Sequence, residues 1–200
     1  MARRTVPAST RQEIVGYWPD IAFQHYVLAR VGMRSSYWYA AAGCAHFAVE
    51  LIVKYTLVLP QPWYRQTWPN RGRVYTLHDL PRHHDLVRLW KLMEIAHPGH
   101  PLTDFQTFIE ELDRWHRLRY AEHLEQGSTS FSRTLEDVAL NLTANAQHDH
   151  DAYGLDIREL DRFFRAIFDF CNITPALRGG QFLVAEGRHL YEEANEFAIR

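Results

Sequence analysis

The sequence predicts an all-α fold, an up-and-down bundle of helices arranged around one apolar helix. Nearly every residue from 37 to 59 is apolar, which is typical of a helix that is buried on most of its sides. No segment keeps the alternation of apolar and polar residues that a half-buried strand requires. Short loops join several of the expected helices and favour antiparallel neighbours. A chain of 200 residues is expected to form one helical domain over residues 1–200.

Capping and breaking residues divide the rest of the chain into further helices. A short helix over 8–18 is expected to end at Pro19, and Asp20 can cap a second helix over 21–33. After the apolar helix, four more helices are expected, over residues 83–96, from Thr103 onwards, over 157–172 and over 182–198. The last of these belongs to a C-terminal helical extension over residues 173–200.

The apolar helix carries one polar stripe, formed by His46, Glu50 and Lys54, which are spaced four residues apart and therefore share one face. Ionisable groups inside such a run are costly in lipid, so we expect a helix buried in a soluble bundle and no contact with a membrane. The stripe is interpreted in two ways. It lines a cleft for RNA or a nucleotide, or it forms ordinary contacts along the helix's solvated face.

The amino-acid composition bears on which molecules the protein binds and on where it is located. The net charge is −2, so the surface lacks the excess of Lys and Arg that holds duplex nucleic acid by bulk attraction. Cys44 and Cys171 form no CxxC pair, and buried free thiols in a reducing cytosol fit them best. No apolar stretch of a secretory signal follows the basic start. The expected location is the cytoplasm.

Three segments together resemble one family. A-H-F-A-V-E stands at 45–50 and is followed by Lys54, H-D-L-V-R-L stands at 84–89, and R-Y stands at 119–120. A second H-D-L lies at 78–80. In this order, and on expected helices, the segments resemble the HEPN domain, a small helical bundle of prokaryotic and eukaryotic proteins.

The resemblance implies a HEPN-like up-and-down bundle over about residues 20–172, with additional helices at the N- and C-terminal ends. It also implies a homodimer whose facing bundles form a shared cleft, and a role in an RNA- or nucleotide-linked stress or defence system. A nucleotidyltransferase is the protein partner that such a system suggests. No cofactor is expected.

The end of the fifth helix carries the candidate catalytic residues. Arg119 and His123 continue its buried stripe to the rim of the bundle, where an arginine can hold a phosphate and a histidine can act as acid or base without a metal. Arg117 and His123 also have the spacing of the Arg–His pair of HEPN ribonucleases. Leu118 and Ala121 depart from the family's motifs, so the sequence places a binding or interaction module ahead of a metal-independent endoribonuclease. A structural arginine that pins the helix end is the alternative.

Two further groups of residues complete the expected ligand and partner contacts. Tyr120, next to Arg119, is expected to contact the same ligand as the polar stripe. An aromatic and arginine-rich loop suits stacking on single-stranded bases or a dimer interface, and the lack of net positive charge favours the interface. Its residues are Trp63, Trp68, Arg71 and Tyr75.

Metal binding is the least favoured alternative. Two Glu-x-x-His pairs have the spacing of di-metal helical bundles, which would also use Glu50 and Glu110. These pairs are Glu94 with His97 and Glu186 with His189. The His-Asp-His-Asp run at 148–151 could bind a metal at the surface, although a solvated polar loop is its usual form.

Overall fold

A computed structural model describes residues 17–35, 37–58, 75–81, 84–117 and 156–173. Every regular element in this part of the chain is helical, which confirms the all-α prediction for it. The elements are α1 (Trp18–Arg34), α2 (Trp38–Val58), α3 (Leu86–Ala96), a 3-10 turn (Thr103–Phe105), α4 (Gln106–Arg117) and α5 (Ile157–Phe170). The helices expected over 8–18 and 182–198, and the extension over 173–200, lie outside the described residues or at their edge.

The start of α1 differs from the prediction. Pro19 does not separate two helices but lies in the first turn of α1, which begins at Trp18. Proline is well suited to this position because its missing N–H has no partner in the first turn and its φ is already helical. Asp20, expected as the cap, lies in the same turn, where its carboxylate faces the positive end of the helix.

Helix α2 forms the centre of the bundle and packs closely against α1. A Cβ atom added at Gly32 would lie 3.0 Å from the Cβ of Ala41, so the absence of a side chain there sets the approach of the two helices. Residues 39–58 are long and apolar enough to cross a membrane, and 67% of the most apolar window is buried inside the protein. The core helix of a soluble bundle has the same properties.

Aromatic side chains from α5 close the core beside α1. The ring of Phe164 stacks on Tyr26 with their centroids 4.4 Å apart, and Phe168 lies 6.2 Å from the ring of Phe23. Such contacts add to the free energy that burial of these large rings contributes. Behind them, Cys171 is buried as a free thiol, and burial raises its pKa, so it behaves as a small apolar residue.

A buried ion pair also connects α1 to α5. The guanidinium of Arg30 donates to Oδ2 of Asp161, and the hydroxyl of Tyr26 donates to Oδ1 at 2.6 Å. Arg30 is 1% exposed and Asp161 is 5% exposed. Burial alone would lower the pKa of Arg30, but the Asp161 carboxylate outweighs it and raises that pKa. The pair therefore holds a charged side chain inside the bundle.

We expect Asp161→Asn to lower the free energy of unfolding by about 3 kcal/mol, because it leaves the buried Arg30 charge without its counter-charge. Urea denaturation followed by circular dichroism measures the change. Asp104→Asn, on an exposed residue of the 3-10 turn, is the matched control and should stay within about 0.5 kcal/mol of the unchanged protein. Equal effects of the two substitutions would show that the pair does not stabilise the fold.

Candidate functional site

The polar stripe of α2 faces the interior of the bundle. His46 is 1% exposed and Glu50 is 2% exposed, so the expectation of a solvated face is wrong for these two residues. The side chain of Lys54 is 18% exposed and reaches the edge. The stripe is covered by the segment that precedes α3 and by α4, which bring further titratable groups to it.

Glu50 is the centre of these contacts. Its Oε1 accepts a hydrogen bond from the ammonium of Lys54, and its Oε2 lies 2.7 Å from Nδ1 of His84. Burial would raise the pKa of Glu50, but Lys54 and His84 outweigh it and hold that pKa below its usual value. Glu50 is therefore ionised at neutral pH, although it is almost fully buried.

A second carboxylate joins α4 to the start of α3. Oδ1 of Asp113 accepts the backbone N–H of Leu86 at 2.9 Å, and so satisfies one of the free amides of the first turn. The same oxygen lies 3.8 Å from Nε2 of His46. On the other side of this ring, Nδ1 lies 3.8 Å from Oε2 of Glu50. His46 is therefore placed between two buried carboxylates, and its Nε2 makes no hydrogen bond.

A third histidine completes the arrangement. The ring of His116, from α4, stacks on His46 with their centroids 3.8 Å apart and lies 5.4 Å from the ring of His84. We call the whole group the histidine–carboxylate cluster. Its members are His46, Glu50, Lys54, His84, Asp113 and His116.

The chemistry of the cluster depends on its imidazoles. When they are neutral, one ammonium stands against two carboxylates, so the group carries a net negative charge. An imidazole can act as an acid or as a base, because it can carry a proton on one or on both of its ring nitrogens. A ligand can reach the cluster at His84, whose side chain is 52% exposed, and at the edge beside Lys54. The cluster can therefore exchange protons with a bound ligand or hold an anion.

The structure does not favour a metal at this position or at the expected Glu-x-x-His pair. Among the described residues, no group of three or more His, Cys, Asp and Glu side chains is arranged to hold a metal ion. Glu94 is exposed while His97 is fully buried, and Nε2 of His97 lies 3.1 Å from the carbonyl oxygen of Thr56. Glu110 is exposed and pairs with Gln106. Residues 148–151, Glu186 and His189 lie outside the described part.

Of the other residues predicted for the site, the structure describes the side chain of Tyr75 and the backbone of Arg117. Tyr75 is 4% exposed, and its backbone N–H donates to the carbonyl of Leu57 at 3.2 Å. Its side chain packs within the core of the described part of the chain. Arg117 ends α4, but its side chain is not described. The remaining expected residues lie outside the described part of the chain: Arg119, Tyr120, His123, Trp63, Trp68 and Arg71.

Sequence reasoning missed Asp113 and His116. Both lie on α4 beside the apolar stripe, and with Ile109 they form a second buried row at the spacing of one helix face. That row was the signal that could have revealed them, because polar residues in line with a buried isoleucine are expected to face a partner. His84 was noticed only as part of the H-D-L motif.

No protein-family model matches this chain, no curated protein matches it, and no solved structure matches it.

The ionised Glu50 makes the free energy of unfolding depend on pH in the acidic range. Its pKa in the folded protein lies below the usual 4.5, so its charge stabilises the fold fully above that pH, and the contribution is lost as the pH falls through the lowered pKa. We expect the free-energy difference between the unchanged protein and Glu50→Gln to be largest near about pH 6 and to shrink below about pH 4.5.

Urea denaturation at a series of pH values measures this difference. Glu94→Gln is the matched control for the same substitution at an exposed carboxylate, since Glu94 is exposed on α3. A Glu50→Gln difference that stays constant across the series would contradict the assignment of an ionised, internally paired Glu50.

Proposed function

We propose that this chain is a HEPN-like binding module that holds RNA or a nucleotide by its phosphate at the exposed side of the histidine–carboxylate cluster. One observation supports it above the others. The segments that resemble the HEPN domain at 45–54 and 84–89 are far apart in the sequence, yet Glu50 from one lies 2.7 Å from His84 of the other. Two of the three segments that carry the resemblance are thus in contact, which supports the proposal.

The chemistry of the cluster suits a phosphate. Both carboxylates are occupied inside the protein, Glu50 by Lys54 and His84, and Asp113 by the Leu86 amide. The groups left at the edge are an imidazole and an ammonium, which donate strong hydrogen bonds to phosphate oxygens when charged.

The proposed location, oligomeric state and protein partner are those that the resemblance to the HEPN domain implies. The chain acts in the cytoplasm as a homodimer in a stress or defence system, beside a nucleotidyltransferase partner. The large aromatic residues Trp63 and Trp68 are the proposed contacts between copies. Light scattering after gel filtration measures the mass in solution, and a monomer at micromolar concentration would remove the dimer from the proposal.

We expect His84→Ala to weaken binding of a fluorescently labelled single-stranded RNA by about tenfold, which corresponds to the loss of one hydrogen bond to a phosphate oxygen. Fluorescence anisotropy at fixed salt measures the affinity, since phosphate contacts are salt-dependent. His78→Ala is the matched control. His78 is exposed and makes none of the contacts of the cluster among the described residues. Equal affinities of both variants and the unchanged protein would rule out the cluster as the binding site.

A ribonuclease is the second candidate, because α4 both supplies His116 to the cluster and ends at Arg117, the first residue of the expected Arg–His pair. In this proposal Arg119 or Arg117 holds the phosphate, and His123 acts as acid or base while the 2′-hydroxyl of the RNA attacks. No metal takes part.

For this second candidate, we expect RNA to be cleaved in the presence of EDTA, with products that end in a 2′,3′-cyclic phosphate. His123→Ala should abolish the cleavage, and His78→Ala should leave it unchanged. An oligonucleotide that lacks the 2′-hydroxyl should bind without being cut. RNA that binds and stays intact would exclude the ribonuclease and leave the binding module standing.

A further inference from the structure

Among the contacts of the described residues, the exposed histidine of the cluster is held through one of its two ring nitrogens, Nδ1. Nδ1 of His84 lies 2.7 Å from Oε2 of Glu50, and an ionised carboxylate can only accept a hydrogen bond. Nδ1 therefore carries the hydrogen, and the lone pair of the neutral ring is on Nε2. Because the side chain of His84 is 52% exposed while Glu50 is 2% exposed, the ring is fixed from inside and reachable from outside.

This arrangement prepares Nε2 to act as a nucleophile. A carboxylate at the opposite nitrogen fixes the tautomer and the orientation of the ring. Histidine is among the side chains that form covalent intermediates. When Nε2 bonds to an electrophile, the ring becomes positively charged, and Glu50 lies where it stabilises that charge. The ammonium of Lys54, bonded to the same carboxylate, adds positive charge for an anionic reagent.

We propose that His84 is a phosphoryl-acceptor site, modified at Nε2 by a donor of the phosphoramidate or acyl-phosphate class. The Nε2 lone pair attacks phosphorus and forms an N–P bond. The bond from phosphorus to the donor's leaving group breaks, and that group departs with the electron pair. The hydrogen on Nδ1 remains in the hydrogen bond to Glu50, which balances the charge on the ring. No electrons are gained or lost by the protein.

This activity is separate from the RNA ligand, since the donor brings its own phosphoryl group. The protein also contains a matched comparison. His78 and His84 are both exposed and lie in the segments before α3, but only His84 is paired with a carboxylate among the described contacts. A difference in reactivity between the two thus reports the effect of Glu50 and not of exposure.

The test is to incubate the whole protein with phosphoramidate and measure the modified peptides over time by mass spectrometry under alkaline conditions, which preserve the acid-labile N–P bond. We expect His84 to be modified at least about tenfold faster than His78, the size of effect typical of an orienting carboxylate. NMR of the modified ring should place the phosphoryl group on Nε2. His84→Ala should remove the fast modification and leave the slow one at His78.

Glu50→Gln separates the role of the carboxylate's charge from that of the ring. The amide oxygen still accepts from Nδ1, so we expect slower modification of His84 with an unchanged rate at His78. If Glu50→Gln unfolds, the ratio of the modification rates at His84 and His78 in the unchanged protein still tests the proposal. Equal rates at His84 and His78, or a phosphoryl group on Nδ1, would overturn the proposal, whatever the outcome of the RNA-binding experiment.

Discussion

The structure depends on a carboxylate that remains charged inside the bundle. Burying an ionised Glu50 is costly unless partners replace the water that it loses, and Lys54 and His84 provide that replacement. This requirement fixes the segment before α3 against α2, because His84 must lie at hydrogen-bond distance. It also sets which nitrogen of His84 faces outward. The buried charge of Glu50 therefore both positions this segment in the fold and orients the exposed ring of His84.

Much of the fold could be read from local patterns, and the site could be read only in part. The apolar run of α2 and the spacing of His46, Glu50 and Lys54 predicted a core helix with one polar face, since helical periodicity is a local property. The same local pattern contained no information about which parts of the chain cover the polar face of α2. The pair of Arg30 and Asp161 shows the same limit, because its members are 131 residues apart and neither has a local signal of its partner.

The motifs quoted from the sequence and the contacts of the cluster are separate observations that share three residues. Glu50 and Lys54 belong to the first of the quoted sequence segments, and His84 belongs to the second. The contacts among these residues come from packing, and the added members Asp113 and His116 belong to no quoted motif. The site assembled from both sources lies at the edge beside His84, whereas Arg119 and His123 lie outside the described residues.

The hydrogen bond between Asp113 and the Leu86 amide links the order of synthesis to the appearance of the site. Helix α3 lacks this cap until a residue 27 positions later has emerged, and His46 faces its second carboxylate only at the same moment. A nascent chain that pauses on the ribosome before α4 therefore has neither the finished helix start nor the finished cluster. Glu50, Lys54 and His84 are synthesised earlier, so the contacts that form only once α4 is present are the cap on Leu86 and the second carboxylate beside His46.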